Sequence, residues 1–346
     1  MKEYILNKTP LRTTSNFKIN DIKLELNIPD DYSFHNFEIE GETDKLILEE
    51  NKNGRGLTSK IGLDFNNSYD INITVPKGTI IKNPIYLTYY FKENDNLIDN
   101  IKIIYEENSE ANFIIKYKSL DNSINFHHLK EEVEAKPNST GKITILNLLN
   151  DKSNNFFSTE VKEYENSSIK HNVIDLGGNT SIINLYGELL EYKAKHTLNS
   201  IYFGKEDKII DINYHVKNIG KSTENYINVE GAIDDYAKKS FKGTIDFIEG
   251  SSSSIGEENE NCILLSDTCI SRSLPMLLCH EESVEGAHGV SSGKIDFSKL
   301  FYLMTRGFSK TESEKILITA NFNKIINKIE SEKIEEELLE IVNKLF

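Results

Sequence analysis

Residues 101–117 read IKIIYEENSEANFIIKY, in which two short apolar runs flank a polar stretch. Both runs are rich in Ile, Phe and Tyr, which favour extended backbone on a half-buried sheet. Similar runs, separated by Asn, Asp, Gly or Ser, recur from about Phe37 to Ile248. They include residues 71–75, 85–91, 142–146, 181–186, 209–214 and 243–248. Almost no amphipathic helical pattern interrupts them, so the sequence predicts a mainly β protein and excludes a βαβ fold.

Two architectures accommodate this many short strands: a large sandwich of two sheets, or a solenoid. Asn-Gly dipeptides, the strongest hairpin signal, are scarce, which weakens the antiparallel alternative slightly. A repeat of fixed period would establish a solenoid, and none is visible. The pattern alone therefore leaves both architectures open. The first segment, residues 1–36, has an irregular pattern, and the β core is predicted to span residues 37–295.

Residues 296–346 have the pattern of helices. Asp296 can cap a short helix that Gly307 ends in the left-handed conformation. Residues 309–312 have capping-box spacing, and an apolar stripe at helical spacing follows them. A final amphipathic helix is predicted over about residues 332–345. Such helices need an apolar surface to lie on, which is either the protein's own β core or a partner protein.

The charge balance limits the classes of partner. The 346 residues include 40 basic and 55 acidic side chains, for a net charge of −15, and such a surface repels nucleic acid and anionic lipid. No apolar run is long enough for a signal peptide or for a membrane-spanning helix. Three cysteines do not make a disulfide framework. We therefore expect a reduced, cytoplasmic protein that binds neither nucleic acid nor membrane.

The side chains that carry chemistry are concentrated in the last quarter of the chain. Cys262, Cys269 and Cys279 occur there with His280 and His288. Thiolates and imidazoles are ligands that iron and zinc favour. The cysteine spacings differ from the Cys-x-x-Cys pairs of structural zinc sites, and free cysteines are commonly small buried core residues. His288 lies between small residues, so its ring is open to a ligand or another chain, although a solvated histidine is the simpler alternative.

Two other types of site are not supported by the sequence. Residues 220–223, Gly-Lys-Ser-Thr, lack the first glycine of a P-loop and the helix that should follow, so no nucleotide is expected to bind this chain. A β-solenoid enzyme acting on polysaccharide would need a pair of carboxylates on a concave face, and no such pair is marked. The protein is therefore not expected to be an enzyme.

Several segments together resemble one protein family. Residues 300–308, LFYLMTRGF, are similar to a family motif LFYLxSRGI, and residues 263–266 to a motif LLLS. His288-Gly289 followed by Gly293 resembles SHGxxxG. Residues 73–86 contain Val-Pro-Lys-Gly and a later Pro-Ile pair, as in the family's VPKGxxxxxPIxI. On these motifs the chain resembles the SufB/SufD family, the scaffold proteins of bacterial iron–sulfur cluster assembly.

The resemblance implies a fold and a set of partners. The fold would be a right-handed parallel β-helix, a solenoid, with a C-terminal helical region. Such proteins pair through their β-helices with a SufB-like paralogue or with a second copy, and each binds a SufC ATPase through its helical region. A transient iron–sulfur cluster is built at the shared interface and passed to apoprotein acceptors. Within this chain, the ATPase would bind residues including Phe301, Tyr302, Arg306 and Gly307.

The resemblance also implies roles for individual residues. His288 matches the histidine that SufD-type subunits contribute to the interface, so we expect it to be an iron ligand as a neutral imidazole. Cys279 matches a cysteine of SufB-type subunits, and Cys262 lies at or beside another; both are candidate cluster ligands or sulfur holders. No cysteine precedes Cys262, so the sulfur-accepting cysteine of SufB cores has no counterpart and the chain is expected to be SufD-like. The alternative is a purely structural β-solenoid interaction protein without a metal role.

Overall fold

The computed structural model describes residues 2–13, 18–29, 32–34, 36–54 and 56–345. The strands are β1 (Lys2–Leu6), β2 (Ile22–Leu26), β3 (Phe37–Glu40), β4 (Ile47–Asn51), β5 (Leu57–Thr58), β6 (Asp64–Phe65), β7 (Tyr69–Val75), β8 (Ile85–Phe91), β9 (Asn96–Tyr105), β10 (Glu110–Ser119), β11 (Phe126–Ala135), β12 (Thr140–Leu148), β13 (Asn154–Glu163), β14 (Ser168–Asp175), β15 (Thr180–Leu189), β16 (Lys195–Gly204), β17 (Ile209–Asn218), β18 (Glu224–Ile233), β19 (Lys238–Phe247), β20 (Ile255–Leu264), β21 (Ile270–Cys279) and β22 (Glu285–Lys294). The helices are α1 (Phe297–Thr305), α2 (Lys310–Ile326) and α3 (Glu332–Lys344).

From β7 onward, successive strands alternate between two nine-stranded sheets. Sheet I contains β4, β7, β9, β11, β13, β15, β17, β19 and β21, and sheet II contains β3, β8, β10, β12, β14, β16, β18, β20 and β22. Within each sheet the strands are parallel, except that β3 and β4 pair antiparallel at the N-terminal end. Hairpin-linked sandwich strands would be antiparallel. The architecture is a β-solenoid of about eight turns with three C-terminal helices, which confirms the predicted fold class.

The turns of the solenoid differ in length, which explains why no fixed repeat is visible in the sequence. Asn154 on β13 pairs with Thr180 on β15, an offset of 26 residues. Lys238 on β19 pairs with Ile270 on β21, an offset of 32 residues. Strand pairing requires only that the registers match, and the loops between strands absorb the difference. A solenoid can therefore be regular in space without being periodic in sequence.

The space between the two sheets, the lumen, is filled by side chains and forms the main core. Along each strand alternate residues point into it. The buried cluster there includes the large aromatic side chains Tyr89, Tyr117, Phe157, Tyr202 and Phe241. The rings of Tyr89 and Tyr117 are stacked with their centroids 4.8 Å apart. Burying rings of this size supplies much of the apolar stabilisation of a strand stack.

Helices α2 and α3 cover the outer face of sheet II. Their buried side chains form one cluster with residues of the sheet: Ile318, Phe322, Ile325, Leu338 and Val342 against Leu146, Ile174, Ile201 and Ala232. Glu337 of α3 also accepts a hydrogen bond of 2.9 Å from Lys116 on β10. The amphipathic pattern allowed these helices to pack on the protein's own β core or on a partner protein. In the structure, α2 and α3 pack on the β core.

The ends of the helices follow the predicted capping signals. The Asp296 carboxylate accepts hydrogen bonds from the backbone amides that begin α1, and Ser309 and Glu312 form the predicted capping box of α2. Gly307 has φ 102°, in the left-handed region that favours glycine, just after α1 ends. These local signals are physical contacts between neighbours in sequence, so the sequence alone was sufficient to find them.

The N-terminal segment, for which the sequence predicts irregular structure, contains ordered strands in its described part. Strands β1 and β2 form an antiparallel pair, and Leu6 and Leu26 from this pair are buried against the outer face of sheet I. The Asn7 side chain donates a 2.6 Å hydrogen bond to Asp211 on β17. Contacts with residues two hundred positions away stabilise these strands, so their own short sequences do not reveal them. Residues 1, 14–17, 30, 31 and 35 of the segment lie outside the described part.

Gly231 on β18 offers a direct test of lumen packing. A Cβ atom at this position would lie 1.9 Å from Tyr202 Cζ, so Gly231→Ala must displace a fully buried ring. We expect the free energy of unfolding to fall by about 1–3 kcal/mol, the usual cost of overpacking a core. The measurement is the urea midpoint of the purified chain. Gly293→Ala on β22 is the matched control, because nothing lies within 4 Å of its added Cβ. Equal midpoints for the two variants would contradict this packing.

Candidate functional site

The last turn of the solenoid, formed by β21 and β22, is open at one side. β22 pairs with β20, and in the described part of the chain no strand pairs with its other edge. Nine of the ten β22 residues are exposed, whereas alternate residues of its neighbour β20 are buried. A long, unpaired edge strand is a ready template for pairing with another chain. The C-terminal end of the solenoid is therefore the candidate functional site.

Strand register shows which side chains of the last turn face the lumen. Paired residues of parallel strands point to the same face of a sheet. On β20 the buried, lumen-facing residues are Glu258, Glu260 and Cys262, and their partners on β22 are His288, Val290 and Ser292. The hydroxyls of Ser292 and Ser271 on β21 lie 2.9 Å apart, which confirms that β21 and β22 face each other across the lumen.

The three candidate ligands predicted from the sequence lie in the last two turns. His288 is exposed on β22, and Cys279 is exposed at the end of β21. Cys262 on β20 has only 1% of its surface exposed. The alternative that the cysteines are small buried core residues therefore applies to Cys262 and not to Cys279. Cys269, between β20 and β21, is half-buried, and its thiol donates a 3.3 Å hydrogen bond to the Ser266 carbonyl oxygen.

These side chains share a region but do not converge on one point. His288 and Ser292, the register partner of Cys262, are four residues apart, which is about 13 Å along a strand. Leu277, two residues before Cys279, lies beside the position of Gly286, which is two residues before His288. Among the described residues no group of three or more His, Cys, Asp or Glu side chains could hold a metal ion. The residues present do not fit a complete iron–sulfur cluster on this chain.

Cys262 lies in a mixed apolar and polar environment. Burial raises the pKa of its thiol, and the nearby Lys239 ammonium partly opposes this effect. The neutral thiol is therefore the favoured form, and it is a weaker nucleophile and metal ligand than a thiolate. In this conformation Cys262 is less suited to bind iron or sulfur than the exposed Cys279 is.

A buried network of ionic and hydrogen-bonding side chains lies in the lumen at the turn formed by β19 and β20. Lys239 on β19 forms an ion pair with Glu260, and both side chains are fully buried. Glu260 also accepts hydrogen bonds from the Tyr202 hydroxyl at 2.8 Å and from the Ser273 hydroxyl at 2.6 Å. Each oxygen of Glu260 thus has a donor, as a buried carboxylate requires.

Glu258, the preceding lumen-facing residue on β20, lacks the hydrogen bonds and the ion pair that Glu260 has among the described residues. Its side chain is buried, yet neither carboxylate oxygen has a hydrogen-bond partner in the described part of the chain. Burial, followed by the charge of Glu260, raises the pKa of Glu258 to about 8. Sequence reasoning missed Glu258, Glu260 and Lys239. The sequence does contain a signal for the two acidic residues, because Glu258, Glu260 and Cys262 alternate as residues on one face of a strand do. It is hidden because the polar run Glu-Glu-Asn-Glu-Asn at residues 257–261 is typical of a loop.

A second exposed surface lies on α1. We call Phe297, Phe301, Tyr302, Met304 and Phe308 the α1 aromatic surface, because all five are exposed large apolar side chains. Phe301 and Tyr302 each have 56% of their surface exposed. The Arg306 guanidinium lies 5.1 Å from the Tyr302 ring centroid, a cation–π contact. Exposed apolar patches of this kind mark protein–protein contacts. Of the four residues predicted to bind the ATPase, Phe301 and Tyr302 belong to this surface, Arg306 contacts Tyr302, and Gly307 follows the end of α1.

No helix in the described part of the chain is long and apolar enough to cross a membrane.

Comparison with known proteins gives a consistent result. Residues 89–321 match the family model described as SUF system FeS cluster assembly, SufBD core domain. The chain is 24% identical over 277 residues to the iron–sulfur cluster assembly protein SufD of Bacillus subtilis, covering 78% of this chain and 62% of that protein. It is 20% identical over 236 residues to SufD of Escherichia coli, covering 67% of this chain and 55% of that protein.

A third relative is an iron–sulfur cluster assembly SufBD family protein of Pyrococcus horikoshii, 23% identical over 255 residues, or 73% of this chain and 57% of that protein. The chain thus spans between about half and two thirds of the length of these relatives. The family match covers more than half of the chain and includes most of the solenoid, α1 and the first part of α2. The chain belongs to the SufBD family of the SUF iron–sulfur cluster assembly system, as a SufD-like member.

Proposed function

We propose that this chain is a non-catalytic subunit of the cytoplasmic scaffold on which the SUF system assembles iron–sulfur clusters. It pairs through its last solenoid turn with a SufB-like paralogue or a second copy, and it binds a SufC-type ATPase through the α1 aromatic surface. The observation that carries this proposal is the open end of the solenoid, where His288 lies exposed on an unpaired edge strand.

Backbone chemistry supports pairing at the last turn. An exposed edge presents amide and carbonyl groups that a strand of another chain can satisfy. At the other end, β3 and β4 pair antiparallel with β8 and β7 and are the edge strands of the described sheets. Both ends therefore present strand edges, and the candidate ligands lie at the C-terminal one. A partner strand beside β22 would extend sheet II and continue the lumen into the second protein. His288 would then lie at the junction of the two proteins.

The ligand set explains why a partner is needed. An exposed imidazole and an exposed thiol, His288 and Cys279, are available at the open end. Both types of side chain bind iron, but two separated ligands do not hold a cluster. The partner therefore supplies the remaining ligands. A site divided between two proteins, with imidazole among its ligands, suits a scaffold that must release its iron and sulfide cargo to apoprotein acceptors.

The position of α1 couples the two surfaces. Only Ile295 and Asp296 separate the end of β22 from the first residue of α1. Helices α2 and α3 are buried against sheet II, whereas α1 exposes most of its side chains. A movement of an ATPase bound to α1 is therefore transmitted over two residues to the edge strand at the proposed interface. This short connection is the physical basis for coupling ATP hydrolysis to rearrangement of the nascent cluster site.

The second candidate function is a purely structural interaction protein with the same fold and partners. The absence of a three-ligand group among the described residues favours it. The two functions differ in one consequence. In the structural alternative, His288, Cys279 and Cys262 can all be replaced without loss of cluster formation.

Phe301 tests the docking surface. Phe301→Glu places a charge in the centre of the α1 aromatic surface, so we expect ATPase binding to weaken by at least about tenfold, as for loss of an aromatic anchor. The measurement is anaerobic affinity purification of the tagged chain, with mass spectrometry of its partners. Ile124→Glu is the matched control, because Ile124 is 72% exposed but lies between β10 and β11. Undiminished ATPase recovery with Phe301→Glu would exclude this surface.

His288 tests the role of the interface in cluster formation. His288→Ala removes the exposed imidazole from the open end, so iron and sulfide bound per complex should fall several-fold while both partners are still recovered. The readout is an iron and sulfide assay of the anaerobically purified complex. His280→Ala is the control, since His280 is 64% exposed in the turn between β21 and β22. Full cluster content in the His288→Ala complex would support the structural alternative.

A further inference from the structure

Glu258 is the feature of the candidate site that the proposed function leaves unexplained. Removing a carboxylate from water without hydrogen bonds or a counter-charge is costly, and proteins rarely tolerate it without a compensating group. Other acidic side chains in the lumen have partners: Asp99 lies 3.0 Å from His127, and Glu163 lies 2.5 Å from His196. Both oxygens of Glu258 are without a partner in the described part of the chain. A ligand that binds carboxylate oxygens would supply what is missing.

The register places Glu258 directly beside His288. The two residues are Cα partners on β20 and β22 and point to the same face, on neighbouring strands about 4.8 Å apart. Gly243 on β19 makes room for the carboxylate across the lumen, because a Cβ at that position would lie 2.1 Å from Glu258 Oε1. No hydrogen bond or ion pair joins Glu258 to His288 among the described residues, so both side chains are available to a third group.

We propose that Glu258 and His288 together bind a ferrous ion at the open end of the lumen. This inference rests on the proposed function and adds to it a ligand inside the solenoid. Non-haem ferrous sites commonly use two imidazoles and one carboxylate, so Glu258 and His288 would supply two of the three protein ligands and the partner would supply the third. The ferrous ion is cargo held until sulfide and the partner's ligands complete the cluster. The ferrous ion would displace the proton of the buried carboxyl group and then act as the counter-charge of the carboxylate.

The neighbouring acidic residues do not compete for this role. Both oxygens of Glu260 already accept hydrogen bonds, and its charge is balanced by Lys239. Glu257 is exposed and pairs with Ala287, so it lies on the opposite face of the strand from Glu258. Glu258 is therefore the carboxylate that the register brings to His288.

The test is anaerobic titration of the purified full chain with Fe²⁺ in competition with a ferrous chelator, repeated on the complex recovered with its partners. Glu258→Gln preserves the shape of the side chain and removes its charge. We expect ferrous affinity to fall by at least about tenfold, the low end of the loss seen when groups supporting a metal site are removed. Glu257→Gln on the same strand is the matched control and should bind Fe²⁺ like the wild type.

Glu258→Asp keeps the charge on a shorter side chain, so it should bind Fe²⁺ with intermediate affinity and keeps the test valid if the Gln variant folds poorly. Equal ferrous affinity of the wild type and the Glu258→Gln variant, in both the chain and the complex, overturns the inference. The proposed function is tested separately by His288→Ala. Loss of iron in that variant alone would leave the scaffold function standing without Glu258.

Discussion

Parallel pairing of each strand with the strand two positions along is the constraint on which this structure depends. It stacks lumen-facing residues in columns, so every side chain in the lumen has a neighbour above and below. The column must stop at the last turn, where β22 leaves one edge without a partner in the described chain. The exposed candidate ligands His288 and Cys279 lie at this end. The described sheets end in the antiparallel strands β3 and β4 on the N-terminal side and in the parallel strands β21 and β22 on the C-terminal side.

The lumen contains ionisable side chains as well as apolar surface. His127, His171 and His196 are fully buried, and each lies within 3.3 Å of a carboxyl group. Lys239 and Glu260 form a buried ion pair one turn before the end. A buried ion pair adds little net stability, because desolvation offsets the attraction, but removing one partner is strongly destabilising. Glu258 departs from this pattern at the position that faces the open end, so a binding role accounts for it better than a structural role does.

The sequence predicts the local features of this fold better than the distant ones. The strand runs, the capping of α1 and α2 and the left-handed Gly307 depend on neighbouring residues, and all are present. The choice between sandwich and solenoid depends on pairing across 26–32 residues, and unequal turns hide that period. The resemblance to family motifs, and not a periodic pattern, was the basis for predicting a solenoid.

The sequence also could not predict which site residues are buried and which are exposed. Cys262 and Cys279 look alike as thiols with apolar neighbours, yet one is buried between the sheets and the other is exposed. The difference depends on which strand face each occupies and on which turn is last. Glu258 was missed for the same reason, since only its register with His288 distinguishes it from the many acidic residues of the surface.

Hydrogen exchange measures directly whether the open last turn is an interface. Amide exchange would be followed by mass spectrometry across Glu285–Lys294, in the chain alone and in the complex recovered with its partners. We expect fast exchange at the free edge of β22 in the isolated chain and clear slowing in the complex, because a partner strand would bind these backbone groups. Unchanged exchange across β22, with new protection elsewhere on the solenoid, would contradict it.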